Sequence, residues 1–284
     1  MKFFICGCNG MAGHTISLYL QEQGHEVYGF DLKKSPYIKS FAGDAFDTET
    51  ITKVIKDGNY DSVINCIGLL NQFAENNHAL ATFLNSYFPQ FLAKITEGTD
   101  TQVIHMSTDC VFSGKQGNYE ENALRDNTTF YGRSKALGEL EDDKNVTFRD
   151  SIVGPDTKAN GPSLLNWFMA QNGPINGFTN RMWTGLTTLE LAKAMERASI
   201  ERFHGLVNLV PDHTISKYGL VSLFNHYLRN DEVVINPIEG TPSDLSLKRT
   251  NFDFSFMVSD YETMISEMAD WIKSHKELYP HYNL

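Results

Sequence analysis

The sequence is poor in cysteine, and none of its thiols is grouped with histidine. Cys6, Cys8, Cys66 and Cys110 are the four, all within the first 110 of 284 residues and all in apolar or glycine-containing stretches. A disulfide framework or a zinc cluster needs closer grouping with histidine partners. Cys6 and Cys8 form a C-x-C pair that no second pair or nearby histidine completes. Buried, reduced thiols and no metal site are therefore expected, in a reducing compartment. Positive charge is also scarce: 24 basic side chains face 35 acidic ones, a net −11. Duplex DNA and anionic membranes demand clustered Lys and Arg, so the balance argues against both. An anionic small molecule stays open, because a local pocket can be positive or can use backbone N–H groups. No run of about 18 apolar residues occurs that could span a bilayer. Met1 to Ile5 leads straight into a glycine turn, too short for the core of a signal peptide. A cytoplasmic protein is the expectation, without internal repeats or low-complexity tracts.

What is present is a rhythm. Short β-type runs at 2–6, 26–30, 62–65, 102–106 and 146–149 alternate with helical patterns at about 14–23, 49–56, 77–96 and 130–141. Thr48 is the expected cap of the second helix. Strands spaced by crossover helices imply an α/β fold, a doubly wound parallel sheet of Rossmann type. After Arg149 the rhythm breaks at Gly154-Pro155, Asn160-Gly161-Pro162 and Gly173-Pro174. Residues 1–150 are thus expected to form a dinucleotide-binding domain. Residues 151–284 are expected to be mostly a small substrate lobe, with some segments returning to the sheet. Near the C-terminus Met257, Met264, Met268 and Trp271 fall at helical spacings and read as core.

Gly7-x-x-Gly10-x-x-Gly13 follows the first strand and opens the first helix. Gly7 permits the tight turn, Gly10 lets the backbone approach a pyrophosphate, and Gly13 lets helix and strand pack closely. Phosphates would rest on the helix N-terminus. Asp31 ends the second strand 18 residues beyond Gly13, where a carboxylate can bind ribose hydroxyls. Lys33 and Lys34 follow; they either hold a 2′-phosphate or form a solvated turn. Asp31 favours NADH and the lysines favour NADPH. Asp44 is either an adenine contact or an exposed loop carboxylate.

Tyr131-Gly132-Arg133-Ser134-Lys135 places Tyr131 and Lys135 at i and i+4 on one helical face. A phenol of pKa about 10 is a poor acid–base catalyst at neutral pH unless a neighbouring ammonium lowers it. Twenty-three residues before Tyr131, Thr108 closes a strand, where its hydroxyl faces the ligand crevice. The three together predict a carbonyl-reducing site: Tyr131 gives the proton, Thr108 polarises the carbonyl, and Lys135 tunes Tyr131. In the second half, Arg181 either pairs with a diphosphate, with Trp183 against a base or sugar, or the two are ordinary lobe residues.

The chain resembles the extended short-chain dehydrogenases/reductases, and among them the dTDP-4-dehydrorhamnose reductases and related nucleotide-sugar 4-ketoreductases. The resemblance rests on Gly7–Gly13, Asn65-Cys66-Ile67-Gly68, Ser107 to Gly114, Tyr131 to Glu139, and Asn85. It implies that Thr108, Tyr131 and Lys135 are catalytic and that Lys135 touches the nicotinamide ribose. Met11, Ala12, Cys66, Ile67 and Gly68 would line an NADPH or NADH cofactor. Two positions depart from the pattern: Cys110 stands next to Asp109 where the family carries Tyr, and Ile152 where it carries Trp. These residues shape the sugar pocket, so a UDP-linked 2-acetamido-2,6-dideoxy-4-keto sugar competes with the dTDP-linked precursor. Either would serve surface-polysaccharide precursor synthesis. A nucleotide-sugar epimerase, or a non-catalytic regulatory subunit like that of methionine adenosyltransferase, are the competing readings. Cys110 after Asp109, where a dehydratase needs Glu, counts against a dehydratase. The assembly, including a homodimer, stays open.

Overall fold

The computed structural model describes residues 1–283. Seven strands form one parallel sheet: β1 (Lys2–Cys6), β2 (Glu26–Asp31), β3 (Lys39–Ala42), β4 (Ser62–Asn65), β5 (Gln102–Met106), β6 (Val146–Arg149) and β7 (Gly205–Asn208). Their spatial order is β7-β6-β5-β4-β1-β2-β3. Strand order reverses between β1 and β4, which opens a crevice at their carboxyl ends, where doubly wound sheets take ligands. Alternation along β1 builds both faces. Phe3 and Ile5 join Ile64, Ile104 and Phe148 on one side, against Ile16 and Leu20. Phe4 joins Val63 and Val103 on the other, against Ile51, Ile55, Phe88 and Leu92. A strand buried on both faces must be apolar throughout, as these are.

Ten α-helices flank and extend the sheet among the described residues: α1 (Met11–Glu22), α2 (Thr48–Gly58), α3 (Asn71–Asn76), α4 (His78–Ala81), α5 (Phe88–Ile95), α6 (Phe130–Gly138), α7 (Leu164–Met169), α8 (Thr188–Glu201), α9 (Lys217–Arg229) and α10 (Tyr261–Ser274). Asp47, not Thr48, caps α2: its carboxylate accepts the Thr50 N–H at 3.1 Å. The single helix expected over 77–96 is broken. A wide π-turn over Thr82–Tyr87 separates α4 from α5. Pro89, near the start of α5, has no N–H to give the carbonyl four residues back, that of Asn85, so regular winding loses its bond there. Helix α6 ends at Gly138, short of the expected Glu141, because Glu139 turns inward to Arg149 in two bonds of 2.8 Å.

Beyond Arg149 the chain builds short strand pairs: Ile152–Val153 with Leu186–Thr187, Ile175–Phe178 with Ile235–Ile238, and Arg181–Trp183 between Ile215–Ser216 and Ser243–Asp244. It also returns to the sheet, with β7 on the edge beside β6. Met264, Met268 and Trp271 are buried as expected. Met257 is 54% exposed, since it precedes α10 and does not share its apolar face. No described helix is long and apolar enough to cross a membrane, and no described group of His, Cys, Asp and Glu could hold a metal. All four cysteines are free.

Candidate active site

A cleft of about 550 Å³ opens at the carboxyl ends of β1, β4, β5 and β6. The segment after each strand contributes. Gly10, Met11 and Ala12 come from the β1 turn, and Cys66, Ile67 and Gly68 follow β4. Ser107, Thr108, Asp109 and Cys110 follow β5, Asp150, Ser151 and Ile152 follow β6, and α6 projects Tyr131 and Lys135. The loop Asp156–Ser163 closes the outer wall.

The glycine turn is built for close approach. Gly7 has φ +83°, open to glycine at little cost. A Cβ on Gly13 would lie 2.0 Å from the Gly7 carbonyl oxygen. No side chain caps α1 and its first turn holds no acid, so its N–H groups and dipole are available to an anion. Asp31 lies behind the turn and braces it, with one carboxylate oxygen accepting the Asn9 N–H at 2.9 Å and the other the Leu32 N–H at 2.7 Å. Asn9, not singled out from sequence, donates its amide to the Lys33 carbonyl at 2.8 Å and keeps a buried Oδ1 without a partner. Lys33, Lys34 and Asp44 are exposed, and an Asp44 oxygen accepts the Phe46 N–H.

Thr108, Tyr131 and Lys135 are brought together, all three buried. Thr129 caps α6 through the Gly132 N–H at 3.1 Å, so Tyr131 enters in the first turn and Lys135 one turn later on the same face. Asn85, in the π-turn, fixes the far wall. It bonds both the N–H and the carbonyl of Leu69 and the Ser134 hydroxyl, tying the loop after β4 to α6. The Lys135 ammonium donates to the Met106 carbonyl at 2.5 Å.

The electrostatics differ from expectation at one point. Burial pushes the Tyr131 phenol well above its ordinary range, with the Cys110 thiol adding and a hydrogen bond to the Thr108 hydroxyl opposing. The Lys135 ammonium, which the sequence suggested would lower that phenol, donates to the Met106 carbonyl. Burial brings Lys135 itself down to about 8, and the Asp150 carboxyl works against that. Asp150 is a residue that sequence reasoning missed. It is 2% exposed, its Oδ2 has no hydrogen-bond partner, and burial holds its carboxyl well above the usual range. Nothing in the pattern around Arg149 marks it beyond its place after a strand. Chemically, the cleft can hold an anion at α1 and offer a protonated phenol and a hydroxyl to one carbonyl oxygen.

Arg181 and Trp183 lie outside the cleft lining. Trp183 is 4% exposed, and its ring neighbours are Lys217 and Tyr261. Its indole N–H donates to the Ser151 hydroxyl at 2.8 Å, so it supports the cleft wall rather than presenting a face to a base. Arg181 is half-buried, stacked at 4.2 Å over Phe178.

A family model described as the RmlD substrate binding domain matches residues 1–273. Over 143 residues the chain is 35% identical to a probable low-salt glycan biosynthesis reductase, Agl14, of Haloferax volcanii, covering 49% of this chain and 48% of that protein. Over 144 residues it is 30% identical to the dTDP-4-dehydrorhamnose reductase of Mycobacterium tuberculosis, covering 49% and 44%. The chain thus spans about half the length of these relatives. The solved dTDP-4-dehydrorhamnose reductase of Bacillus anthracis in complex with NADP superposes with a TM-score of 0.80 over 96% of this chain and 100% of that one, at 18% identity, which shows a shared fold. With the match running through β1 to α10, this chain belongs to the RmlD substrate binding domain family.

Proposed function

We propose that the protein reduces the 4-keto group of a 4-keto-6-deoxy sugar carried on a nucleoside diphosphate, dTDP or UDP, with NADPH or NADH as donor. The observation that carries the reading is the convergence of Thr108, Tyr131 and Lys135 on the cleft that the glycine turn closes. Relatives that bear reductase names support it.

The residues fit a dinucleotide. Gly13 leaves no room for a Cβ, Gly7 takes the positive φ that glycine tolerates, α1 begins uncapped, and Asn9, with its unpartnered Oδ1, bonds Asp31, the residue that would meet an adenosine ribose. Met11, Ala12 and Cys66–Gly68 would line it, and Lys33 would meet a 2′-phosphate. Bound there, a reduced nicotinamide supplies the hydride. Tyr131, held protonated by burial, donates its proton to the carbonyl oxygen of the sugar as that oxygen gains charge. The Thr108 hydroxyl bonds the same oxygen and stabilises the developing charge. Lys135 binds the nicotinamide ribose and holds positive charge beside the phenolate that Tyr131 leaves behind. Asp109, Cys110 and Ile152 form the sugar side, where Cys110 and Ile152 leave space that bulkier aromatics would fill. Residues 151–284, apart from the segments that rejoin the sheet, act as the substrate lobe, with Arg181 toward the diphosphate.

The test is spectrophotometric. Protein is mixed with NADPH, or separately NADH, and with dTDP- or UDP-linked 4-keto-6-deoxy sugars made in situ. Loss of nicotinamide absorbance that depends on one sugar nucleotide supports the reading. A sugar turned over without net cofactor consumption, by protein purified with cofactor bound, replaces it with an epimerase.

A further inference from the structure

Asp109 and Asp150 follow the neighbouring strands β5 and β6, and the Asp109 N–H donates to the Asp150 carbonyl at 3.0 Å. Both carboxyls are buried in the cleft wall, 5% and 2% exposed. Their partners differ. Asp109 is spent on the protein: its Oδ1 accepts the Thr108 hydroxyl and the Cys110 thiol, each at 3.2 Å, and the Ser151 hydroxyl bonds the same carboxyl. No protein donor reaches Asp150 Oδ2, which is buried. Among the described residues that line the cleft, no other side chain keeps a buried polar atom without a partner. A desolvated acceptor left unpaired is costly, and in a cleft it is matched by a donor that arrives with a ligand. The neighbours decide which ligand. Asp150 acts on the Cys66 thiol after β4 and on the Tyr131 phenol and Lys135 ammonium of α6, and Lys135 is the one cation that acts on it in return. Asp109 is acted on instead by Lys217, which opens α9 in the lobe. Asp150 thus belongs to the half of the cleft that Cys66 and Lys135 bound, away from the lobe.

We propose that the Asp150 carboxyl holds the carboxamide of the nicotinamide and so fixes the rotation of that ring in the cleft. That a nicotinamide lies there rests on the reductase reading above. With its ribose at Lys135 and its reacting carbon toward Tyr131 and Thr108, the ring has one polar group left to place, the carboxamide, whose N–H groups need an acceptor. The Met106 carbonyl is taken by Lys135, and Asp109 by the donors named above. Asp150 is the buried acceptor that remains. As a carboxylate it accepts an amide N–H, and as an acid it also donates to the amide carbonyl, so both protonation states serve. Asp150 is then a positioning residue that decides which face of the ring is turned to Tyr131 and Thr108. A ring hydroxyl of the sugar is the other donor that could reach it, and the test separates the two.

The experiment titrates dinucleotides calorimetrically into the full chain without any sugar. The probes are NAD+ or NADP+, whichever wild type binds more tightly, and its 3-acetylpyridine analogue, which keeps the carbonyl and replaces the NH2 by methyl. Wild type is expected to bind the natural cofactor about 10- to 100-fold more tightly than the analogue, the worth of a hydrogen bond to a carboxyl. In Asp150→Leu the two bind within twofold of each other. Asp150→Ala, which removes the same oxygens without adding bulk, behaves alike, whereas Asp150→Asn keeps an acceptor and most of the preference. ADP-ribose, which lacks the nicotinamide, binds wild type and variants equally. A wild type that binds cofactor and analogue within twofold overturns the proposal, as does a preference that survives in Asp150→Leu and Asp150→Ala, the result expected if Asp150 serves the sugar. An equal loss for ADP-ribose marks a structural role and overturns it too, and a wild type that binds neither dinucleotide overturns both this and the reductase. A preference that depends on Asp150, without NADPH oxidation by any sugar nucleotide, keeps the carboxamide site and removes the reductase. Sugar-dependent oxidation by a protein that binds both dinucleotides alike does the reverse.

Discussion

In the proposed mechanism, Lys135 is the residue whose protonation sets the working range of the cleft. Burial brings it down to about 8, and the Asp150 carboxyl resists that fall. The proposed mechanism needs the charged form beside Tyr131, so kcat/KM should decline as pH rises through that value. Asp150→Asn removes the group that favours the ammonium, so the alkaline limb should move to lower pH; a limb that stays in place or moves upward contradicts the role given to Asp150. Tyr131, Thr108 and Lys135 were legible in the sequence because their spacing on one helix and at one strand end is itself geometry. Asp150 was not, since its neighbours come from other strands and helices, and a single Asp carries no period. Trp183 was noticed for its type. Its partners, Ser151 and Lys217, lie 32 and 34 positions away.

At the scale of elements, the end of α6 is pinned by a buried ion pair. Burial works to raise the Glu139 carboxyl, and the Arg149 guanidinium, with Ser107 and Arg125, outweighs it and holds the carboxyl below its usual range. Ser107 opens the segment that carries Thr108, so this pair couples the strand end to the helix that bears Tyr131 and Lys135. Glu139→Gln leaves Arg149 buried without its counter-charge, and a loss of about 3–5 kcal/mol is expected from denaturant unfolding. A carboxyl with a depressed folded pKa stabilises above its unfolded pKa. That contribution disappears as pH falls through the folded value, so the gap between wild type and Glu139→Gln should close in acid. Five of the seven strands of the sheet were readable from short β-branched and aromatic runs, because a strand buried on both faces leaves little other composition; Lys39–Ala42, an exposed edge strand, carries no such run. The helix over 77–96 was misread as continuous, since the effect of Pro89 on the Asn85 carbonyl depends on winding that periodicity does not register.

For the whole molecule, the C-terminal segment acts as a strap across the glycine turn and the outer wall of the cleft. The Tyr279 hydroxyl meets His14 of α1 at 2.9 Å and the Trp271 indole at 3.2 Å. The Tyr282 hydroxyl accepts the Asp156 N–H at 3.0 Å and donates to Asn166, whose amide holds the Lys158 carbonyl at 2.8 Å. Ending the chain after Lys276 removes both tyrosines and frees the 156–163 loop. The truncated protein should melt several degrees lower and bind nicotinamide dinucleotides more weakly, as thermal melts and fluorescence titration would show. Equal affinity would mean that the strap serves stability alone. The return of the chain to the sheet through β7 was foreseen only in outline, because a four-residue strand among short elements gives no sign of which edge it joins.

The central claim is that Tyr131 passes a proton to a sugar carbonyl in a cleft that also holds a nicotinamide. The most direct measurement compares wild type with Tyr131→Phe in the NADPH-oxidation assay, with NADPH affinity measured in parallel by fluorescence. The account predicts turnover lower by about 100- to 10,000-fold with cofactor affinity nearly unchanged. Turnover within a few-fold of wild type would contradict it.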